Sequence, residues 1–381
     1  MSQRVDLIIL GASARAAAFS ALRAGLQPWC ADLFADVDLR AHCAAVRLGG
    51  AYPDGFSELL ATAPAAPWLY TGGLENHPRL VARLAQLRTL WGNDAAALTA
   101  VRDPLIVQHL LCAAGLAAPR CVRQHRAALG TGRWLLKPLR GAGGVGIRFH
   151  TGEESDALLS RSYLQEYLEG ESRSALYVAG ARETRLLGMT RQLIGATWLH
   201  AAPFQYCGSV GPLALDVRER AALGRLGEVL ATGCGLRGLF GVDGVWRDGT
   251  FWPVEVNPRY SASIEVLEYA TGLTALAWHR SAFDSSAPVP PEPAAAIFGK
   301  AILFARAAMT FPATGPWQSS SGWGTPAFAD VPECGQQIEA RRPVLTYFAR
   351  ADDLESCQDA LQKTAEELDR QFAACGLASP C

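Results

Sequence analysis

Residues 239 to 259, LFGVDGVWRDGTFWPVEVNPR, constrain the fold more than any other stretch, because they read as a β-hairpin with polar residues in the wrong place for a plain core. Two runs rich in Val, Phe and Trp flank a turn at Arg247-Asp248-Gly249, and Asp243, Glu255 and Asn257 interrupt them. Side chains alternate faces along a strand, so Glu255 and Asn257 point the same way. Gly249 at the last loop position suits a type I turn closed by a left-handed glycine, which predicts a three-residue loop, 247–249. That loop pairs Trp246 with Thr250, sets Asp243 opposite Pro253, and puts it on the Glu255 face. An even loop would pair Asp243 with Val254, on the other face. Two carboxylates and an amide oxygen on one face are hard ligands suited to Mg²⁺, which commonly also takes substrate phosphates. A solvated acidic face is the competing reading, and the hairpin alone does not separate the two.

The chain has 381 residues, half of them apolar and 19% charged, so two or three packed domains of ordinary globular character are expected. A net charge of −1 supplies no basic field for nucleic acid or an anionic membrane. The ten cysteines form no C-x-x-C pair, which points to reduced, mostly buried thiols rather than a zinc ribbon or disulfide framework. The one short apolar run near the N-terminus, Leu7 to Leu10, follows Asp6 and lacks the form of a signal peptide. No apolar stretch approaches the roughly 20 residues that span a bilayer. A soluble, cytoplasmic protein is expected.

In chain order, Val5 to Leu10 is a buried-strand signature. A glycine turn, an alanine-rich helix ending near Gly25 and a strand over Pro28 to Asp32 follow, the opening of a parallel α/β unit. The turn lacks the glycines of G-x-G-x-x-G, so a dinucleotide site is not expected there. Leu48 to Tyr52 and Trp68 to Thr71 continue as strands, and Gly92-Asn93 marks a turn and the first boundary, giving an α/β domain over 1–93. The pattern from Asp94 to Pro119 is helical. Trp134 to Lys137 is a strand that runs into PLRGAGGVG, with four glycines between positions 141 and 146, and then a further strand, Ile147 to His150. Glycines strip away side chains, so successive backbone N–H groups can face an anion. No Gly-Lys-Ser/Thr follows, which excludes a Walker A loop. With Lys137 at its base, such a flap can cover nucleotide phosphates, although a flexible hairpin tip has the same composition. Tyr163 to Leu168 is a short strand, Pro203 to Gly211 a pocket-lining loop, and Val217 to Thr232 an amphipathic helix. Ser281 to Pro293 is the clearest linker, so 94–280 and 294–381 are the remaining units. Leu354, Leu361, Leu368 and Phe372 form a core-facing helical stripe near the C-terminus.

The order of these pieces resembles the ATP-grasp superfamily: a strand ending in Lys, a glycine flap, the segment Gln165-Glu166-Tyr167-Leu168, then Asp243, eleven intervening residues and Glu255-Val256-Asn257-Pro258-Arg259. The closest flavour is similar to the predicted ATP-dependent carboligase group, near biotin carboxylase and carbamoyl-phosphate synthetase. The resemblance implies a mixed α/β and α+β chain: a Rossmann-like parallel domain, a two-lobed ATP-binding region and a small C-terminal α+β or β-rich domain packed on the ATP-grasp core. It implies that Lys137 contacts the α- and β-phosphates and that the backbone of Gly141, Gly143, Gly144 and Gly146 closes over them. Gln165, Glu166, Tyr167 and Leu168 would read the adenine edge, with the Gln165 side chain near the exocyclic amine. Glu171 would approach the ribose. Asp243, Glu255 and Asn257 would hold one or two Mg²⁺ ions, with Mn²⁺ as a substitute, and Arg259 would stabilise phosphates or an acyl-phosphate oxyanion.

The activity implied is ADP-forming ligation of a carboxylate to an amine through an acyl phosphate, with small-molecule substrates. Related ligases build peptides, siderophores, nucleotide precursors and C1-carrier cofactors such as methanopterin or methylofuran. Arg191, Phe204, Tyr206, Ser209, Ser261 and Ser263 are the candidate substrate contacts. Dimers are common among similar proteins, which makes a homodimer the oligomer the resemblance suggests. Two departures stand out: Asp103-Pro104 replaces a frequent Asp-Lys pair, leaving Arg102 or Arg123 to substitute, and Glu171 sits one place earlier than the usual ribose-binding acid. Two alternatives stay open: a bicarbonate-using carboxylase, which would need a separate carrier because the chain has no biotin-attachment Met-Lys pair, and a catalytically weakened nucleotide-binding protein.

Overall fold

A computed structural model of the chain describes residues 4–123, 129, 132–284, 296–319 and 322–377. The first unit alternates β1 (Leu7–Leu10), α1 (Arg15–Arg23), β2 (Pro28–Asp32), α2 (Val37–His42), β3 (Ala44–Arg47), α3 (Phe56–Thr62), β4 (Trp68–Tyr70) and α4 (Pro78–Leu87). Its four strands pair in parallel in the order β3-β2-β1-β4. The LIIL run is buried on both faces, as a central parallel strand must be. Gly11 is required at the end of β1, because a Cβ there would lie 2.0 Å from Thr71 Oγ1. The Asp32 carboxylate accepts the N–H groups of Ala14, Phe34 and Ala35, so it holds the loops over the sheet edge in place. The third strand falls at Ala44–Arg47 rather than at Leu48 to Tyr52, which is a turn leading to α3.

The helical stretch after Asn93 is two helices, α5 (Ala95–Val101) and α6 (Pro104–Ala113). Asp94 caps the first through the N–H groups of Ala96 and Ala97, and Asp103 caps the second through that of Leu105, with Pro104 at its first turn. Asp103-Pro104 is therefore a helix start, in keeping with the preference of proline for the first helical position. A small antiparallel sheet follows, from β5 (Cys121–Val122), β6 (Trp134–Pro138), β7 (Arg148–Phe149), the short helix α7 (Asp156–Leu159) and β8 (Ser162–Glu166), in the order β5-β8-β6-β7.

The large sheet begins with β9 (Glu171–Ala179), β10 (Thr184–Ile194) and β11 (Tyr206–Gly211). Helix α8 (Val217–Cys234) follows, closed by an Asp216/Glu219 capping box and a left-handed Gly235. Next come β12 (Gly238–Arg247), β13 (Thr250–Asn257), α9 (Ala262–Thr271), α10 (Ala275–Phe283), β14 (Ile297–Phe304), β15 (Met309–Thr310), β16 (Phe328–Ala329), β17 (Gln337–Ile338), β18 (Pro343–Ala351) and α11 (Leu354–Leu377). Eight strands run in the order β13-β12-β9-β10-β11-β14-β18-β16, and β15 pairs with β17. The expected loop over Pro203 to Gly211 thus contains β11, a strand inside the sheet. Its YCGSVG sequence hides this: at Gly208 a Cβ would meet Lys300 O at 2.2 Å, so glycine is needed for close strand packing. The C-terminal segment continues the large sheet, since β14 bonds to β11. Of the expected linker, Ser281 to Phe283 belong to α10, and residues 285–293 lie outside the described residues. Leu361 and Leu368 of α11 are buried against β14 and β18, as their spacing predicts.

One apolar core runs from β1 and α1 to α9, α10 and β9, packing the parallel unit onto the large sheet. Buried polar ties cross the same seam. Arg15 pairs with Glu265 and donates to Asp330 at 2.9 Å, and Lys300 donates to Glu265 at 2.7 Å. Asn93 donates to Pro258 O and accepts from Arg237 N, both at 2.8 Å. His279 donates from Nε2 to Trp91 O at 3.0 Å and accepts Leu239 N–H at Nδ1 at 2.9 Å, an arrangement that needs the neutral ring. Burial holds its pKa down to about 4 from an ordinary 6.5. The folded state therefore binds its proton less readily than the unfolded chain. The stability that His279 contributes is complete above pH 6.5 and is lost as pH falls through 4. Urea melts should show the wild-type advantage over His279→Asn shrinking by about 2–3 kcal/mol between pH 7.5 and 4.5; an advantage independent of pH would contradict it.

Candidate active site

The hairpin reaches the expected face by a different route. Arg247 pairs with Thr250, so the turn has two residues, and both Asp248 (φ +50) and Gly249 (φ +74) are left-handed, the mirror-image turn that matches strand twist. The predicted three-residue loop is thus corrected. The register then shifts between Asp243 and Gly244: Gly244 pairs with Pro253 but Asp243 with Glu255. Val254 is the extra residue of a β-bulge, and the bulge returns Asp243 to the face of Glu255. It also turns the Val254 carbonyl to where Lys137 Nζ donates at 3.1 Å and Gln165 Nε2 at 3.3 Å.

Asp243 Oδ1 accepts from Ser174 Oγ at 2.7 Å and Gln192 Nε2 at 3.0 Å, and Oδ2 accepts from Asn257 Nδ2 at 2.8 Å. Burial, and then the neighbouring charge of Glu255, pushes its carboxyl up to about 6. Glu255 goes the other way: burial opposes its charge, but Arg102 and Lys137 outweigh burial and hold it below the ordinary value. Lys137 is buried, yet Tyr163 and Glu255 keep its pKa above the usual lysine value against the cost of burial. Arg259 donates to Asn257 Oδ1 at 3.0 Å and to Glu75 Oε1 at 2.9 Å, reaching the edge of the parallel sheet. The donor set fits a hard divalent cation: adjacent carboxylates, one raised by the other's charge, beside an amide oxygen. Among the described residues no three or more His, Cys, Asp or Glu cluster to hold a metal, so the set depends on the amide of Asn257.

The flap lies over this face. Gly143, Gly144 and Gly146 all have positive φ, and a Cβ on Gly144 would meet Phe204 O at 1.8 Å, so only glycine permits this approach. Tyr206 N donates to Gly143 O at 3.1 Å. Beneath is a cleft of about 510 Å³, roofed by Gly143, Gly144 and Phe204 and bordered by Glu166, Tyr167 and Leu168, with Asp243, Glu255, Asn257 and Arg259 on its floor. Leu135, Ile147, Val245 and Val254 give it apolar walls suited to a flat ring.

Most of the sequence-nominated residues meet here, with three differences. Gln165 lines the cleft and is also tied to the lysine: its Oε1 accepts from Lys137 Nζ at 3.1 Å, so its side chain orients the lysine. Glu171 and Arg191 form an ion pair at 2.8 Å beside Arg173, on the sheet face opposite Ser174 and Asp243; Ser172, one residue on, lines the cleft. Tyr206, Ser261 and Ser263 line the cleft, while Ser209 is buried behind them, linked to Tyr206 Oη at 3.0 Å and Ser263 Oγ at 2.8 Å. Ser174, Gln192 and Glu75 escaped the sequence reading. Glu75 had one signal: it follows Gly72-Gly73 at the carboxyl end of a buried parallel strand, where α/β sheets gather ligands.

Flap, buried lysine and acidic hairpin across one cleft define an ATP-grasp architecture. Residues 102–263 match the sequence model of the ATP-grasp domain family, and the chain carries an ATP-grasp domain. Comparison with the curated proteins gives no match. Among solved structures, the chain resembles the biotin carboxylase domain of Hydrogenobacter thermophilus 2-oxoglutarate carboxylase in complex with MgADP, ADP and bicarbonate, at 15% identity over 94% of this chain and 89% of that one, TM-score 0.69. It also resembles L-amino acid ligase from Bacillus licheniformis (14%, 96% and 98%, TM-score 0.67). A third is the ADP complex of N5-carboxyaminoimidazole synthetase from Staphylococcus aureus (13%, 96% and 98%, TM-score 0.68). At these identities the likeness is one of fold, and it spans nearly the whole chain.

Proposed function

We propose that this protein is an ATP- and Mg²⁺-dependent ligase that joins a carboxylate to an amine through an acyl phosphate. The observation that carries the reading is the convergence of Lys137, the glycine flap and the Asp243/Glu255/Asn257 face on one cleft. A carboxylate oxygen attacks the γ-phosphorus and ADP leaves. The amine lone pair then attacks the acyl carbon, phosphate leaves with the acyl–oxygen bond pair, and the amine gives up a proton. Asp243, Glu255 and Asn257 would hold Mg²⁺, which neutralises phosphate charge when bound. Lys137 and the flap N–H groups position the phosphates, and Arg259, fixed by Glu75, faces the anionic intermediate. The flap and Phe204 keep water from it. The hinge residues 166–168 take the adenine, and Tyr206, Ser261 and Ser263 contact the substrates. The mixed hydroxyl and guanidinium lining suits a small metabolite or cofactor precursor. We place the protein in the cytoplasm: all eight cysteines for which the structure describes a side chain are unpaired, in keeping with a reducing compartment.

Incubation with ATP, Mg²⁺, hydroxylamine and a panel of acids tests this. An acid-dependent hydroxamate formed with ADP is the expected result. Turnover that depends on bicarbonate without any hydroxamate would replace this reading with a carboxylase.

A further inference from the structure

Arg102 touches three separate segments at once. Its Nη1 donates to Glu255 Oε1 at 2.8 Å, while Nη2 donates to Asn76 Oδ1 at 2.8 Å and to the Gly141 carbonyl at 3.1 Å. Asn76 Nδ2 donates to the same carbonyl at 3.2 Å. A guanidinium is planar and permanently charged, so this fork fixes geometry as well as charge. The flap base, the edge of the parallel sheet and the acidic hairpin are thereby tied through one largely buried side chain. Arg123, the other candidate to replace the missing lysine, is taken up by Asp103 at 3.3 Å.

Glu255 Oε1 is also an oxygen that a divalent cation on this face would need. A guanidinium and a dication on one carboxylate oxygen repel each other, so the two compete. We propose that Arg102 is a positioning residue that stands in for the metal at Glu255 while nucleotide is absent and latches the flap base. Divalent metal is then admitted together with the nucleotide, whose phosphates give Arg102 another anion: Arg102 lines a smaller adjoining cavity that shares Lys137, Gly144 and Glu255 with the cleft. This rests on the nucleotide-binding reading above. Metal and latch are linked, so loss of the latch must strengthen binding of metal alone.

The test uses the full chain, Arg102→Met and Asn76→Ala, without turnover. Mn²⁺ alone is titrated by loss of its free-ion paramagnetic resonance signal, MgADP by calorimetry. Trypsin cleavage after Arg140, exposed at the flap entrance, is followed by fragment mass. The latch predicts that Arg102→Met binds Mn²⁺ about tenfold more tightly, binds MgADP about tenfold more weakly and is cut after Arg140 about tenfold faster. Asn76→Ala is cut faster with its Mn²⁺ affinity unchanged. Opposite shifts for metal and nucleotide are what a merely structural arginine would not produce. Mn²⁺ affinity unchanged or weakened in Arg102→Met, with wild type still binding MgADP, overturns the latch alone; wild type that binds no MgADP overturns the reading beneath it. If circular dichroism finds Arg102→Met unfolded, Arg102→Lys is read instead. It keeps the charge without the fork, so faster cleavage at Mn²⁺ affinity within about twofold of wild type supports the latch, and wild-type cleavage overturns it.

Discussion

Glu255→Gln is expected to reduce substrate-dependent ADP release by about a thousandfold while leaving the fold intact. Glutamine preserves the shape and one oxygen but removes the charge that pairs with Arg102 and lies beside Asp243. The metal face then has one carboxylate instead of two, and the Asp243 carboxyl, relieved of its neighbour's charge, returns toward the ordinary value. A coupled ADP assay with circular dichroism in parallel reads both halves. Wild-type turnover in the folded variant would remove Glu255 from the metal set.

Lys137→Met should have the second large effect, lowering kcat/KM for ATP by about 10²–10³-fold. Methionine fills similar volume but supplies no charge to the phosphates. It also strands Gln165 Oε1, which accepts from Nζ, and leaves the bulged Val254 carbonyl with Gln165 Nε2 as its remaining donor. Stranding a buried acceptor costs about 1–3 kcal/mol, so a lower denaturation midpoint should accompany the kinetic loss. Lys137→Arg is not expected to rescue either, because five donors on a rigid fork do not fit the place of a compact ammonium. Initial rates across ATP concentrations, beside a urea melt, separate the two effects.

Much of this was legible in the chain because local chemistry dictated it. The LIIL strand, the glycine flap and the E-x-N alternation each have one economical conformation. The hairpin shows where such reasoning stops. Its face was right and its turn wrong, because the bulge adds one residue to β13 opposite β12, and Val254 carries no mark of it. Glu171 illustrates a second limit. Strand period fixes which residues share a face, but whether that face is the cleft depends on Arg173 and Arg191, the latter on the adjoining strand. β11 was hidden because glycine and serine suit a crowded sheet as well as a loop. The contacts of Glu75 and Asn76 join residues more than 60 positions apart across two units, which no local pattern announces.

Nucleotide and metal are expected to meet beneath the flap on the Asp243/Glu255 face. A crystal structure with Mg²⁺ and a non-hydrolysable ATP analogue measures this directly. The expected result is phosphates under residues 141–146 beside Lys137, with Mg²⁺ about 2.0–2.1 Å from oxygens of Glu255 and Asn257. An analogue bound elsewhere, or a metal remote from Glu255 with its pairing to Arg102 unbroken, would contradict it.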